Sequence, residues 1–281
     1  MFCDLHTHSV CSDGSYTPAE LICAAKELGL TIALTDHNTV TGLPEFMAEA
    51  EKQGVTAIAG IEFSTIHKGQ EFHLVGLFLD SIHYPRIEQL MARFHVLKEI
   101  SNVEMIRKLN QAGFRIDYDA VRRRNRNGRP NRAHIAAELM DRGYVSSIDQ
   151  AFDTLIGDDC PFYVPCERLE TAAAIRLLRE MKAVPILAHP LKDVSEETLG
   201  QLLPGLIDAG LVAMETQHCT YDDDAIAQAE RIAREYKLLQ SGGSDFHGIH
   251  KPDVRLGCGK GNLAVPVSFL EQLQAYRQAM M

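Results

Sequence analysis

The sequence predicts an α/β fold, a mostly parallel barrel carrying a helical insertion. Three observations predict it. Short β-like runs alternate with helix-like segments, which argues for a parallel barrel or a doubly wound sheet. Nearly every β run ends in a polar or ionisable residue, namely His8, His37, Glu62, His189, Glu215 and Asp245. Reactive groups gathered at the carboxyl ends of several strands are what a closed barrel uses, so this feature selects the barrel over the open sheet. The length, 281 residues, suits one such barrel with or without an insertion.

The elements follow in order. Residues 2–8 read as a strand. Thr17-Pro18-Ala19-Glu20 reads as a helix start, with Thr at the N-cap, Pro at N1 and Glu at N3, and the helix runs to Gly29, a suitable C′ residue. TIALTDH is a strand, LPEFMAEAEKQG a helix and VTAIAGIEF a strand; the loop STIHKGQ and the strand EFHLVGLFL come next. His73 lies near the start of its strand rather than the end. A hairpin between the two flanking strands would bring it to the same rim as Glu62. Residues 85–182 break the alternation and read as consecutive helices, so 99–168 is expected to be a helical insertion or lid on a discontinuous barrel of 1–98 and 169–281. The alternation resumes with VPILAHP, a helix over SEETLGQLLPGLIDAG, the strand LVAMETQ, a helix over 222–236, the strand and loop LLQSGGSDFHG, and a last helix over 266–279.

Composition narrows the function. Apolar residues make up 46%, enough for a substantial core. The net charge of −10 argues against a global electrostatic grip on nucleic acid, so duplex DNA is not expected and anion binding must be local. Seven irregularly spaced cysteines without a CxxC indicate a reducing compartment. The apolar runs fall short of a membrane span and the start, MFCDLHTH, shows no secretory signal, which together predict a cytoplasmic protein without membrane partners.

The stretch DLHTHSVCSDG places His6 and His8 two apart, with Asp13 five further on. Side chains two apart on a strand share a face, so His6 and His8 converge, as do Asp245 and His247 if SDFH stays extended. Six histidines (His6, His8, His37, His73, His189, His247) and three carboxylates (Asp13, Glu62, Asp245) would ring one barrel mouth. One metal needs three or four such ligands, so nine can hold two or three ions, and imidazole with carboxylate suits Zn, Mn or Fe. Three divalent ions beside three carboxylates leave roughly +3, which matches a phosphate dianion plus a hydroxide generated at neutral pH. Phosphoester hydrolysis fits this balance better than amide hydrolysis.

The motifs HTHSVCSDG, TDHNT, GIE, HLVGLF, AHP and GSDFHG, in this order, resemble those of the PHP (polymerase and histidinol phosphatase) family of metal-dependent phosphoesterases. The resemblance implies a distorted (β/α)7 barrel with usually three metals. It places one ion on His6, His8, Glu62 and Asp245, a second on Glu62, His73 and His189, and a third on Asp13, His37 and His247. Asn38 stands where the family commonly has Asp, a position expected to tune the centre rather than bind metal. The segments NRAHIAAELMDRGYVSSIDQAF and PFYVP resemble the insertion-bearing bacterial subgroup, which acts on nucleotide phosphates, including nucleoside bisphosphates, or on 5′-phosphorylated ends of short RNA. In that subgroup the Arg-x-His of the insertion faces the metals, which maps to Arg132 and His134.

The expected catalytic groups are therefore Asp36, Arg132, His134 and His218. Asp36 is placed to orient a ligand or accept a proton. Arg132 would stabilise charge on the equatorial oxygens of the phosphoryl group, and His134 or His218 would position the phosphate or assist the leaving oxygen. Lys251, just past DFHG, is a further candidate. The run VRRRNRNGRPNR carries six arginines between positions 122 and 132, readable as a phosphate-binding lid or as a solvated loop with scattered ion pairs. Two alternatives stand beside nucleotide phosphate hydrolysis: a histidinol-phosphate phosphatase, against which the insertion argues, and a catalytically silent scaffold, against which the intact ligand set argues.

Overall fold

The computed structural model describes residues 2–124 and 130–280. The chain forms two compact units, Met1–Glu88 with Leu169–Met281, and Gln89–Arg168.

The first unit is built from β1 (Cys3–Asp4), α1 (Pro18–Leu28), β2 (Thr31–Leu34), α2 (Leu43–Gln53), β3 (Ala57–His67) and β4 (Gln70–Leu77). The long helix α3 (Tyr84–Gln111) leads into the second unit, which continues with α4 (Tyr118–Arg123), α5 (Arg132–Asp141) and α6 (Ile148–Ala151). The chain returns through β5 (Leu169–Glu170), α7 (Thr171–Glu180), β6 (Val184–Leu187), α8 (Pro190–Asp193), α9 (Glu196–Asp208), β7 (Ala213–His218), α10 (Asp223–Glu235), β8 (Leu239–Gly243) and α11 (Val267–Ala279).

The sheet runs β1-β2-β3-β4-β6-β7-β8, with the short β5 paired beside β3. Only β4 is antiparallel to its neighbours β3 and β6. The two ends meet through Leu5 N–H to Gly242 O at 3.2 Å, Asp245 N–H to His6 O at 2.9 Å and His8 N–H to Phe246 O at 3.0 Å. The result is a nearly closed barrel of seven strands, and the doubly wound alternative is excluded. Inside and around it pack small and branched residues such as Leu5, Ala33, Ile58, Val75, Ile186 and Ala213.

Closure depends on a missing side chain. A Cβ on Gly243 would run into the backbone nitrogen and Cβ of His6. Gly243→Ala should therefore separate β1 from β8 and destabilise the fold by about 2–3 kcal/mol. Thermal denaturation checks this; an unchanged midpoint would mean that the two strands approach less closely.

Local chemistry explains where the strands stop. Residues 5–8 leave the regular ladder earlier than the predicted strand 2–8, because threonine hydroxyls enter it: Thr7 Oγ1 donates to Ala33 O at 2.6 Å and Thr7 N–H to Thr35 Oγ1 at 3.2 Å. The helix α1 carries the expected capping box, with Glu20 N–H on Thr17 Oγ1 at 3.2 Å and Thr17 N–H on Glu20 Oε2 at 2.7 Å, and ends on the left-handed Gly29. The predicted loop STIHKGQ is mostly strand. β3 and β4 continue to His67 and Gln70, and Lys68-Gly69 (φ 50° and 86°) makes a two-residue turn of the primed kind.

The second unit has its own apolar centre, including Met105, Leu109, Val121, Ile135 and Leu139. This unit runs from Gln89, inside α3, which is continuous through the expected boundary at 99 and contributes Met105, Ile106 and Leu109 to that centre.

Candidate metal centre

Glu62, buried at 0% exposure, faces five imidazoles. Its Oε2 lies 3.1 Å from His6 Nε2, 3.2 Å from His8 Nε2 and 3.0 Å from His37 Nδ1. Its Oε1 lies 2.8 Å from His73 Nδ1 and 3.2 Å from His189 Nε2. The β3–β4 hairpin makes the His73 contact: Ser64 pairs with His73, so Glu62 and His73 are diagonal neighbours on one face. Asp245 Oδ1 lies 3.2 Å from His8 Nε2 and 3.9 Å from His6 Nε2. Asp13 closes the other side, with Oδ1 3.3 Å from His247 Nε2 and Oδ2 3.8 Å from His37 Nε2.

All nine residues thus converge. Their donor atoms form four overlapping groups, each compact enough for one cation: His8-Asp13-His37-His247, His6-Glu62-His189, His6-His8-Asp245 and His37-Glu62-His73. The grouping differs in detail from the three expected sets, since His8 and His37 each join two groups and His6 also sits with Glu62 and His189.

The buried atoms His6 Nε2, both ring nitrogens of His8, His37 Nδ1 and Glu62 Oε2 lack a hydrogen-bond partner. They approach one another closely without the alignment a hydrogen bond needs. Buried polar atoms are rarely left so, and a shared divalent cation at imidazole and carboxylate donors would satisfy them together.

Protonation follows the same geometry. Burial alone would push the Glu62 carboxyl up, but His37, His6 and His73 outweigh it and hold it well below the usual range. Burial opposes charge on His6, yet Glu62 and Glu215 hold its pKa well above the ordinary value. For His73 burial is again overcome, by Glu62 and then Glu71, and the pKa rises to about 10. The metal-free centre therefore carries protons where a cation would sit.

Backbone strain is concentrated here. Asp245 (φ 54°), His189 (φ 30°) and Asn38 (φ 54°), beside His37, all occupy the left-handed region that non-glycine residues avoid. Asn38 tolerates it best, and its side chain braces β3 by accepting from Ser64 N–H at 3.0 Å and donating to Ser64 Oγ at 3.1 Å.

Of the other expected groups, His218 joins the centre. Its Nε2 lies 3.5 Å from Asp245 Oδ2, and its Nδ1 is 2.8 Å from Thr220 Oγ1 and accepts from Thr220 N–H at 3.3 Å. Asp36 does not join it as a reacting group. Its carboxylate is occupied by Ser9 N–H at 2.7 Å and the hydroxyls of Ser9 and Ser12 at 2.6 Å. It braces the loop that carries Asp13.

Two supporting carboxylates were not assigned a role from sequence. Glu215 takes His6 Nδ1 at 2.8 Å and His189 N–H at 2.8 Å. Asp4 accepts from Ser244 N–H at 2.8 Å, Ser244 Oγ at 2.6 Å and Gly257 N–H at 2.9 Å, tying β1 to the segment before Asp245. The only sequence signal for Glu215 was its place at a strand end.

Known proteins resemble this chain over most of its length. The profile of the PHP domain matches residues 4–142. A 5′-3′ exoribonuclease of Haemophilus influenzae is 34% identical over 246 residues, covering 87% of this chain and 89% of the relative. The chain belongs to the PHP family. A 3′,5′-nucleoside bisphosphate phosphatase of Chromobacterium violaceum is 30% identical, covering 87% of this chain and 86% of its own. Among solved structures, a Bifidobacterium adolescentis protein assigned as a metal-dependent phosphoesterase aligns with a TM-score of 0.81 at 27% identity, over 97% of this chain and 95% of that one.

The PHP resemblance also pointed to the second unit. There Arg132 and His134 open α5. Arg132 pairs with Asp158 at 2.5 Å and stacks on Tyr163 at 5.0 Å, and His134 Nδ1 lies 2.6 Å from Asn131 Oδ1 within the helix cap. In the arginine run, Arg124 pairs with Glu138 at 2.6 Å and Asp141 at 2.7 Å, as a structural clamp. Arg126 and Arg129 lie outside the described residues. No helix among the described residues is long and apolar enough to cross a membrane.

Proposed function

We propose that this chain hydrolyses phosphate esters of nucleotides, either nucleoside mono- and 3′,5′-bisphosphates or the 5′-phosphorylated ends of short RNA. The observation that carries the reading is the convergence of nine imidazole and carboxylate groups on one rim, with Glu62 against five rings. The names of the exoribonuclease and the bisphosphate phosphatase support the substrate class.

His6, His8, Asp13, His37, Glu62, His73, His189, Asp245 and His247 would hold two to three divalent transition-metal ions, Mn, Fe or Zn. Such ions polarise a phosphoryl oxygen and lower the pKa of water to about 7. The chain does the rest. Glu215 accepts the Nδ1 proton of His6, which fixes the tautomer and turns Nε2 inward as a donor. His218 Nδ1 accepts from the Thr220 amide, which places the ring proton on Nε2. That N–H points at the Asp245 side of the rim, where it can donate a hydrogen bond to a phosphoryl or leaving oxygen. Arg132 and His134 would bind phosphate from the insertion, at the start of a helix whose N–H groups favour an anion. A cytoplasmic setting is part of this proposal, on the odd number and irregular spacing of the seven cysteines.

The test is turnover by chelated protein given back Mn. Nucleoside 3′,5′-bisphosphates and 5′-phosphorylated RNA oligomers should be hydrolysed, and histidinol phosphate should not. Turnover of neither nucleotide substrate would overturn the proposal.

A further inference from the structure

We propose that Lys251 is a further substrate-binding residue of this centre, donating from its ammonium to the oxygens of an incoming phosphoryl group. The inference rests on the phosphoesterase reading above and extends it to a residue outside the ligand set.

The argument starts with Asp245, whose two oxygens have different neighbours. Oδ1 faces His8 and His6, while Oδ2 meets Lys251 Nζ at 2.6 Å and His218 Nε2 at 3.5 Å. Two donors, one at the end of β7 and one just past the turn Gly248–His250, thus converge on one oxygen at the edge of the centre. An acceptor oxygen of a bound phosphoryl group lying beside Asp245 would find the same two donors.

Lys251 also has capacity left. An ammonium carries three donors. Those of Lys251 reach Asp245 Oδ2 and, at 3.5 Å, Asp245 O. Its side chain remains 34% exposed, whereas that of Asp245 is 5% exposed. The ammonium therefore stands between a buried carboxylate and solvent, on the path of a charged substrate. A compact, mobile point charge suits a phosphate whose oxygens rearrange during reaction.

The local backbone holds Lys251 there. Gly248 (φ 65°) begins a short 3₁₀ turn, Gly248–His250, and a Cβ on it would collide with Ser15 Oγ. Ser15 Oγ instead accepts from Ile249 N–H at 3.0 Å, and His250 Nδ1 lies 2.8 Å from Asp13 O. The turn before Lys251 is thus pinned to the loop that supplies Asp13.

A purely structural ion pair makes a different prediction, so the two can be separated. Inorganic phosphate is titrated calorimetrically into the metal-loaded wild type, Lys251→Met and Lys251→Arg. Lys251→Met should bind phosphate about ten- to hundredfold more weakly, as expected for losing a charge-assisted contact. It should keep the wild-type metal content, and KM for the nucleotide substrate should rise more than kcat falls. Lys251→Arg should recover part of the affinity. Wild-type phosphate affinity in Lys251→Met overturns the inference. So does loss of metal from that variant, which would make Lys251 a brace for Asp245. Failure of the wild type to turn over any nucleotide phosphate strikes at the phosphoesterase reading instead, since the phosphate titration does not depend on turnover.

Discussion

Glu62→Gln should lower phosphoesterase activity by at least about a thousandfold and lower the bound metal with it, while the barrel stays folded. The side chain keeps its shape, so the core need not repack. What it loses is a full negative charge at the point where His6, His8, His37, His73 and His189 meet. An amide offers one weak neutral oxygen in place of two anionic ones, and its NH₂ would point a donor at imidazoles that need an acceptor or a cation. The effect should exceed that of losing any one histidine, because Glu62 is the carboxylate shared by two of the four cation-sized groups and touches the other two through His8. Elemental analysis, activity after Mn reconstitution and circular dichroism check the three parts together. A variant that retains its metal and stays within tenfold of wild-type activity would remove Glu62 from the centre of the chemistry.

How much of this was legible in the sequence depends on the range of the interaction. The spacing of His6 and His8, and the capping box at Thr17, are local patterns with one structural solution each, and both carry through to the structure. The pairing of Glu62 with His73 needed one further step, a hairpin, and the two-residue turn at Lys68-Gly69 supplies it. Asp36, expected to orient a ligand or accept a proton, takes the serines of the loop that carries Asp13, a contact between segments that its place next to His37 does not reveal. Asp4 and Glu215 were beyond reach for a different reason. Asp4 acts on Ser244 and Gly257, and Glu215 on His6 and His189, contacts that exist only once the barrel closes. No local pattern distinguishes such a carboxylate from an ordinary strand-end residue. The start of the second unit has no local signal, because helical periodicity runs unbroken through α3 past both Gln89 and the expected 99.

Metal loading should release protons, and the metal should stabilise the protein more as pH rises from 6 to 9. In the metal-free centre His6 and His73 are both raised, by Glu62 with Glu215 and by Glu62 with Glu71, and His73, at about 10, is charged at neutral pH. A cation needs their neutral nitrogens, so each must lose its proton first. Displacing the His73 proton alone should raise apparent affinity by about tenfold per pH unit through this window, and a proton on His6 steepens the slope wherever it is still bound. The sign for the metal-free protein is opposite. A histidine raised in the folded state contributes stability that is fully present below its unfolded value of 6.5 and is lost as pH rises through about 10. The carboxylates Glu62, Asp13 and Asp245 are depressed, so their contribution is present above the ordinary carboxylate range and is lost only as pH falls through their lowered values. The metal-free protein should accordingly be most stable in mild acid and weaken toward pH 9, and the loaded protein should diverge from it there. Proton release in weakly buffered indicator solution, and the difference in Tm between loaded and chelated protein at pH 6, 7.5 and 9, measure the two consequences separately. A Tm difference that stays constant across that range would mean that His6 and His73 are already neutral before metal arrives, and that the charge balance drawn around Glu62 is wrong.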